Sequence, residues 1–147
     1  MKLGFIGTGE ITKAVVIGVL GSKIKFQKIY LSKRNSKISA FLTKKNKKIQ
    51  IEKNNQDLIN KSDWVFLAVT PKVGNKIIKK LHFKRRQTIV SFISTIQLPK
   101  LKKLTKNRTN IVRAIPLPPI SLRKGPIPIF RPNKKVKRFF SILGTVI

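Results

Sequence analysis

The sequence predicts a doubly wound α/β fold, a mostly parallel sheet with helices on both faces. Three observations carry this expectation. Short apolar runs alternate with helically spaced segments from residue 2 onward. The first run ends on glycine and passes at once into a helical pattern. The most apolar run, Trp64–Val69, reads as a central strand buried on both faces.

In chain order, Lys2–Gly7 is a buried strand, and Ile11–Leu20 follows with helical spacing, closed by Gly21. Lys28–Ser32 is the second strand. Ser36 is expected to cap a helix through about Lys45, with Ile38, Phe41 and Leu42 facing inward. Ile49–Ile51 is a third strand, and Asn55 is expected to cap a short helix through Lys61. After Trp64–Val69, Pro71 opens a helix as a first-turn residue. Val73, Ile77, Ile78 and Leu81 should face inward as it runs to about His82. Thr88–Phe92 is the fifth strand, Leu98–Leu104 a helix with Pro99 in its first turn, and Ile111–Ala114 the sixth strand. A proline-rich crossing, Pro116 to Pro128, leads into Ile127–Phe130. Lys134–Leu143 is the last helix, ended by Gly144, and Trp64 with the phenylalanines at 66, 92, 139 and 140 reads as core. Right-handed crossovers then wind the sheet in both directions, and such sheets take ligands beyond the carboxyl ends of their strands.

The 147 residues suit one domain, and 41% are hydrophobic, enough to bury a core. There is no cysteine, which excludes a disulfide scaffold or thiolate metal site and suits a reducing cytoplasm, the expected location. No run reaches the roughly 18 apolar residues of a membrane span, and the glycines at 4, 7 and 9 argue against a signal peptide. The charge is extreme: 34 Lys+Arg against 4 Asp+Glu, formally +30. All four acids (Glu10, Glu52, Asp57, Asp63) precede Trp64. One explanation is a nucleic-acid or anionic-membrane surface. The other is compositional drift towards Lys, Asn and Ile. The scatter of the lysines over helix faces and loops favours drift, and no zinc-finger, aromatic RNA-binding or basic heptad pattern accompanies them. Non-specific polyanion binding remains an expected side effect; a membrane partner is not expected. His82, the only histidine, reads as a surface or capping residue. Four scattered acids offer neither a hydrolytic carboxylate pair nor a metal cage.

The chemistry sits in Gly7-Thr8-Gly9-Glu10-Ile11-Thr12, between the first strand and first helix. The dinucleotide fingerprint G-x-G-x-x-G/A occupies that place. Gly7 permits the tight turn and Gly9 lets a pyrophosphate approach the backbone. The helix amino end aims free N–H groups and a positive dipole at the phosphates. Thr12 departs from the small third residue, and a plain glycine turn is the alternative. The second strand ends Leu31-Ser32-Lys33-Arg34-Asn35, without the acid that would hold the ribose hydroxyls of NAD. Ser32, Arg34 and Asn35 suit a 2′-phosphate instead, so NADP(H) is the expected cofactor; general basicity is the competing explanation for Lys33 and Arg34. Ala68 to Lys72 ends the central strand at the expected switch point, and Ser91 to Thr95 should border the nicotinamide pocket.

The segments MKLGFIGTGEITKAVVIGVL, LSKRNSK, DWVFLAVTPK, QTIVSFIS and NIVRAIPLPP, in this order, resemble the amino-terminal domain of pyrroline-5-carboxylate reductases over nearly the whole chain. The first and third are shared by many dehydrogenases. Val112-Arg113-Ala114-Ile115-Pro116, followed by Gly125, is the more specific. The resemblance implies a Rossmann domain and an oxidoreductase of proline biosynthesis that reduces a cyclic imine with NADPH. By position it implies a phosphate loop of Gly7, Thr8, Gly9, Glu10 and Ile11, and a 2′-phosphate site of Ser32, Arg34 and Asn35. Asn55 would touch the adenosine ribose, and Val69, Thr70, Pro71 and Lys72 the nicotinamide ribose. No residue is assigned as a catalytic proton donor. Leu117 replaces a polar residue of the family, and Ser94-Thr95 replaces a small Ala-Gly turn. The family's helical dimerisation and substrate domain is not found in residues 1–147. A truncated or divergent member is therefore expected, oligomeric only with that domain. The alternatives are another NADP-dependent dehydrogenase, such as a β-hydroxyacid dehydrogenase or deazaflavin-linked reductase, and a non-catalytic NADP(H)- or polyanion-binding module.

Overall fold

The computed structural model describes residues 1–106 and 110–147. The chain runs β1 (Lys2–Ile6), α1 (Glu10–Leu20), β2 (Lys28–Ser32), α2 (Ser36–Thr43), β3 (Ile49–Glu52) and α3 (Asn55–Lys61). It continues through β4 (Trp64–Leu67), α4 (Pro71–Ile77), β5 (Thr88–Ser91), α5 (Leu98–Leu104) and β6 (Ile111–Ala114). The last elements are β7 (Pro126–Ile127), β8 (Ile129–Phe130), α6 (Lys134–Leu143) and β9 (Thr145–Val146).

The main sheet has the order β3-β2-β1-β4-β5-β6-β8. Every neighbouring pair is parallel except β6 with β8. This is the doubly wound Rossmann order, with the chain reversing its direction of travel between β1 and β4.

Residue alternation along the strands divides the core in two. Leu3, Phe5, Ile29, Leu31, Trp64 and Phe66 point to one face, where α1, α2 and α6 cover them. Ile6, Tyr30, Val65, Leu67, Ile89 and Ile111 point to the other, under α3, α4 and α5. Phe5 and Phe66, paired in register on adjacent strands, stack with centroids 4.4 Å apart. Two faces buried on a strand of four or five residues explain why these runs read as continuously apolar. On the first face, Gly18 of α1 lies against the 3-10 turn Pro118–Leu122. A Cβ there would stand 2.5 Å from the carbonyl oxygen of Ile120.

Several sequence expectations shift. The cap of α2 is Asn35, whose Oδ1 accepts from the Ile38 N–H at 3.2 Å, rather than Ser36. Asn54 likewise caps α3 through the Asp57 N–H at 2.8 Å, and Asn55 is the first helical residue. Phe41 lies outward, 39% exposed, with the ammonium groups of Lys13 and Lys45 over its ring. The helix from Pro71 tightens into a 3-10 turn at Ile78–Lys80 and stops before His82. In it Ile78 is buried, whereas Val73 and Ile77 are only half-buried. Pro128 has no N–H for a ladder and splits the expected Ile127–Phe130 strand: β7 pairs with β9 in a second small sheet, and β8 joins β6. Gly7, Val69 and Phe92 fall just outside the strands expected to include them.

Candidate functional site

The site forms where the loops after β1 and β4 meet at the reversal of strand order. Gly7 has φ +101, a left-handed conformation that favours glycine. A Cβ on it would stand 2.3 Å from the Ala68 carbonyl oxygen. This position therefore demands glycine twice, for its dihedral and for the approach of the β4 loop. Gly9 differs: it is extended, and a Cβ on it would meet nothing within 4 Å. The fold leaves space in front of Gly9 that it does not itself fill.

Behind the loop, buried hydroxyls fix its shape. The Gly7 N–H donates to Ser32 Oγ at 3.0 Å, and the Thr8 hydroxyl donates to the Ser32 carbonyl at 2.8 Å. Thr8 has one hydroxyl proton, so the 2.8 Å contact between its Oγ1 and Ser32 Oγ is donated by Ser32. Thr12, the departure from the fingerprint, is fully buried and its hydroxyl donates to the Gly7 carbonyl at 2.7 Å. The threonine thus ties the helix to the turn that a smaller residue would merely approach.

No side chain caps α1 at Gly9. The side chains of Asn35, Asn54, Thr70 and Asn133 do cap α2, α3, α4 and α6. The amino end of α1 thus offers unspent N–H groups and a positive dipole end to an anion.

Two clefts flank this corner. The larger, about 530 Å³, is lined by Gly7, Thr8, Gly9, Arg34, Asn35 and Thr70, together with Val69. The smaller, about 270 Å³, shares Gly7, Arg34 and Val69 and adds Ser32 and Asn55. Arg34 borders both clefts, is exposed, and has no ion-pair partner among the described residues. Asn35 has committed its side-chain oxygen to capping α2, which leaves its amide N–H₂ as a donor. Ser32 is buried, and its hydroxyl is occupied by the loop. Glu10, Pro71 and Lys72 are exposed, Ile11 is half-buried, and none of the four lines either cleft.

An acid does stand near the end of β2, one strand over. Glu52 of β3 pairs in register with Ser32 and is buried. It is spent on Lys61, 2.7 Å away, and on the Gln50 amide, also at 2.7 Å. The hydrogen bond to Glu52 holds the Lys61 ammonium above its ordinary pKa.

Sequence reasoning missed a second anchor, at the far side of β4. Arg113 on β6 donates to the Ser94 carbonyl at 2.6 Å and lies 4.8 Å from the centre of the Phe130 ring. It thereby pins the turn after β5. A lone arginine in the otherwise apolar run IVRA was the available signal; half-buried here, it satisfies one end of its guanidinium at Ser94, while its Nε has no partner among the described residues.

A dinucleotide loop at the switch point of a doubly wound sheet marks a pyridine-nucleotide-binding fold of the oxidoreductase class. The chain belongs to the family described as NADP oxidoreductase, coenzyme F420-dependent, whose model matches residues 2–95. It is similar to pyrroline-5-carboxylate reductase 3 of Danio rerio, with 27% identity over 129 residues covering 85% of this chain and 44% of the relative. Its fold matches 1-pyrroline-5-carboxylate reductase from Streptococcus pyogenes at a TM-score of 0.83 and 21% identity, over 100% of this chain and 57% of that one. It also matches the Plasmodium falciparum pyrroline carboxylate reductase with NADP bound, at a TM-score of 0.83 and 20% identity, over 100% and 56%. The chain spans about half the length of the curated relatives it matches. Among the described residues, no helix is long and apolar enough to cross a membrane, and no three His, Cys, Asp or Glu residues cluster to hold a metal ion.

Proposed function

We propose that these residues form the cofactor-binding half of an NADP(H)-dependent imine reductase of the pyrroline-5-carboxylate reductase type. One observation carries the reading: the uncapped amino end of α1 opens, at Gly9, onto a cleft bordered by the guanidinium of Arg34, which has no ion-pair partner among the described residues. The pyrophosphate would lie against the Gly9 backbone and the first N–H groups of α1. Arg34 would grip the 2′-phosphate, with the Asn35 amide beside it. The role of Ser32 is to hold Gly7 and Thr8, and so to shape the loop rather than touch the phosphate. Asn55 would reach the adenosine ribose, while Val69, Thr70, Pro71 and Lys72 would run beside the nicotinamide ribose. Glu10 and Ile11 contribute their backbone at the helix start.

When bound, the nicotinamide would supply the hydride that adds to the carbon of the C=N bond, while a proton ends on nitrogen. These residues would position the cofactor; none of them takes the role of proton donor. Relatives matched by this chain are about twice as long, so turnover is proposed for a protein of that length, with its helical domain supplying the substrate pocket. An intracellular, cytoplasmic location is part of the same proposal.

The test is thermal. NADPH should raise the melting temperature more than NADH does, because ligand binding to the native state alone stabilises it. Arg34→Ala should abolish the difference. Equal shifts from the two cofactors in the unaltered protein would refute the 2′-phosphate assignment.

A further inference from the structure

A third cleft, of about 500 Å³, opens at the opposite end of the sheet. It lies where β4 and β5 begin, at Trp64 and Thr88, with Met1 ahead of β1. Strands of four or five residues separate it from the dinucleotide loop by about 15 Å. The two sites therefore do not compete for space.

Its wall and its rim differ in chemistry. Ile24, Trp64, Phe139 and Ile142 form an apolar floor. Lys23, Lys25, Arg86, Lys135 and Arg138 stand around it, all of them exposed. Asp63 is the single acid of the lining, and it is engaged: it accepts from the Lys2 N–H at 2.8 Å and lies 4.0 Å from Arg86. The other four cations have no ion-pair partner among the described residues. The cleft continues past Lys23, Arg138 and Ile142 into a neighbouring depression bordered by Arg123, Ser22 and Ser141.

Crowded like charges repel, and an anion among them relieves that repulsion. A small inorganic anion would leave the apolar floor wet. A neutral hydrocarbon would leave the cations unpaired. The volume lies within the range of small-molecule sites, which combine an apolar wall with a few polar groups that fix orientation. We propose that this cleft binds an amphipathic organic anion, a hydrocarbon body of medium length ending in a carboxylate, with the body on Trp64 and Phe139 and the carboxylate between Lys135 and Arg138.

Trp64 is the only tryptophan of the chain and lines the cleft, so its fluorescence reports occupancy directly. The probe is decanoate, below its micelle concentration, titrated against the unaltered protein with decan-1-ol and acetate as comparisons. Decanoate should shift the Trp64 emission saturably, severalfold more tightly than decan-1-ol, which lacks the charge, and at least tenfold more tightly than acetate, which lacks the hydrocarbon body. The response should persist in saturating NADPH. The double variant Lys135→Glu, Arg138→Glu should weaken it at least tenfold, and Arg138→Gln, a milder change on the same exposed face, should weaken it measurably. Circular dichroism confirms that each variant is folded. An unchanged affinity in Arg138→Gln and the double variant, an equal response to decan-1-ol, or displacement of decanoate by NADPH would each overturn the assignment. The first two outcomes leave cofactor binding at the other end of the sheet untouched, whereas displacement by NADPH would count against that site as well.

Discussion

The hydroxyl of Thr12 donates to the carbonyl of Gly7 at 2.7 Å, inside the first turn of α1 and out of reach of solvent. This bond joins the residue that departs from the dinucleotide fingerprint to the residue that begins it. Thr12→Val keeps the shape and removes the donor, leaving a buried carbonyl without this partner. The cost should be about 1–3 kcal/mol. Thermal unfolding should register it as a fall of several degrees. Thr12→Ser, which retains the hydroxyl, should recover most of the loss. An unchanged melting temperature in Thr12→Val would mean that the bond contributes nothing.

The two glycines of the loop should fail in different ways. Gly7→Ala forces a side chain into a left-handed backbone and against the Ala68 carbonyl, so the fold itself should lose upwards of about 2 kcal/mol. Gly9→Ala adds a methyl to open space in an extended backbone. The unliganded protein should be as stable as before, or about 0.4–1 kcal/mol more so. Its affinity for NADPH should nevertheless drop at least tenfold, because the methyl occupies the approach of the pyrophosphate. Titration calorimetry together with a melting curve separates the two effects. Retained NADPH affinity in Gly9→Ala would remove the phosphate from that position.

Arg113 should act on one half of the cofactor only. It holds the turn at Ser94, beyond the carboxyl end of β5 and on the side assigned to the nicotinamide. Arg113→Met should weaken NADPH by about tenfold, as small misplacements in binding sites do. Binding of adenosine 2′,5′-bisphosphate, which carries the adenosine end alone, should not change. A parallel loss for both ligands would make Arg113 a general support of the fold.

The Lys61–Glu52 pair predicts an alkaline signature. Its hydrogen bond raises the lysine pKa in the folded state above that in the unfolded chain. The stabilisation is therefore fully present below the ordinary lysine pKa and is lost as the pH climbs through the higher folded value. Half of Lys61 is open to water, so the effect is modest. Many other lysines titrate in the same range, and only the difference between the unaltered protein and Lys61→Met isolates this one. That difference should shrink as the pH rises past the lysine range. A constant offset across the range would point to packing of the lysine stem instead.

Much of the architecture was readable because the central strands β1, β2, β4 and β5 are buried on both faces. Trp64–Leu67 has no polar residue to lose, and its run of four apolar side chains divides cleanly between the two layers. The glycine loop was readable because both its glycines follow a strand and precede a helix. Exact caps were not. Asn35 and Ser36, and Asn54 and Asn55, are adjacent residues of equal capping chemistry, and only the backbone dihedrals choose between them. Phe41 followed the helical period yet turned outward, where two lysines cover its ring. The engagement of Ser32 lay beyond any local pattern. Its hydroxyl meets Gly7 across 25 positions, a contact set by the parallel pairing of β1 with β2. Strands of two residues, such as β8 and β9, are too short to carry a period at all.

The close seat of Gly18 against Ile120 has a mechanical consequence. An α-helix is stiff along its length, and α1 is held at both ends, by Thr12 near the loop and by Gly18 at the 3-10 turn. The helix behaves as a strut. A push on the proline-rich crossing is delivered, across about 14 Å at 1.5 Å for each of the nine residues from Gly9 to Gly18, to the very amides that face the cleft. Whatever packs on the crossing thereby gains leverage over those amides, and over the phosphate proposed to meet them, without touching either.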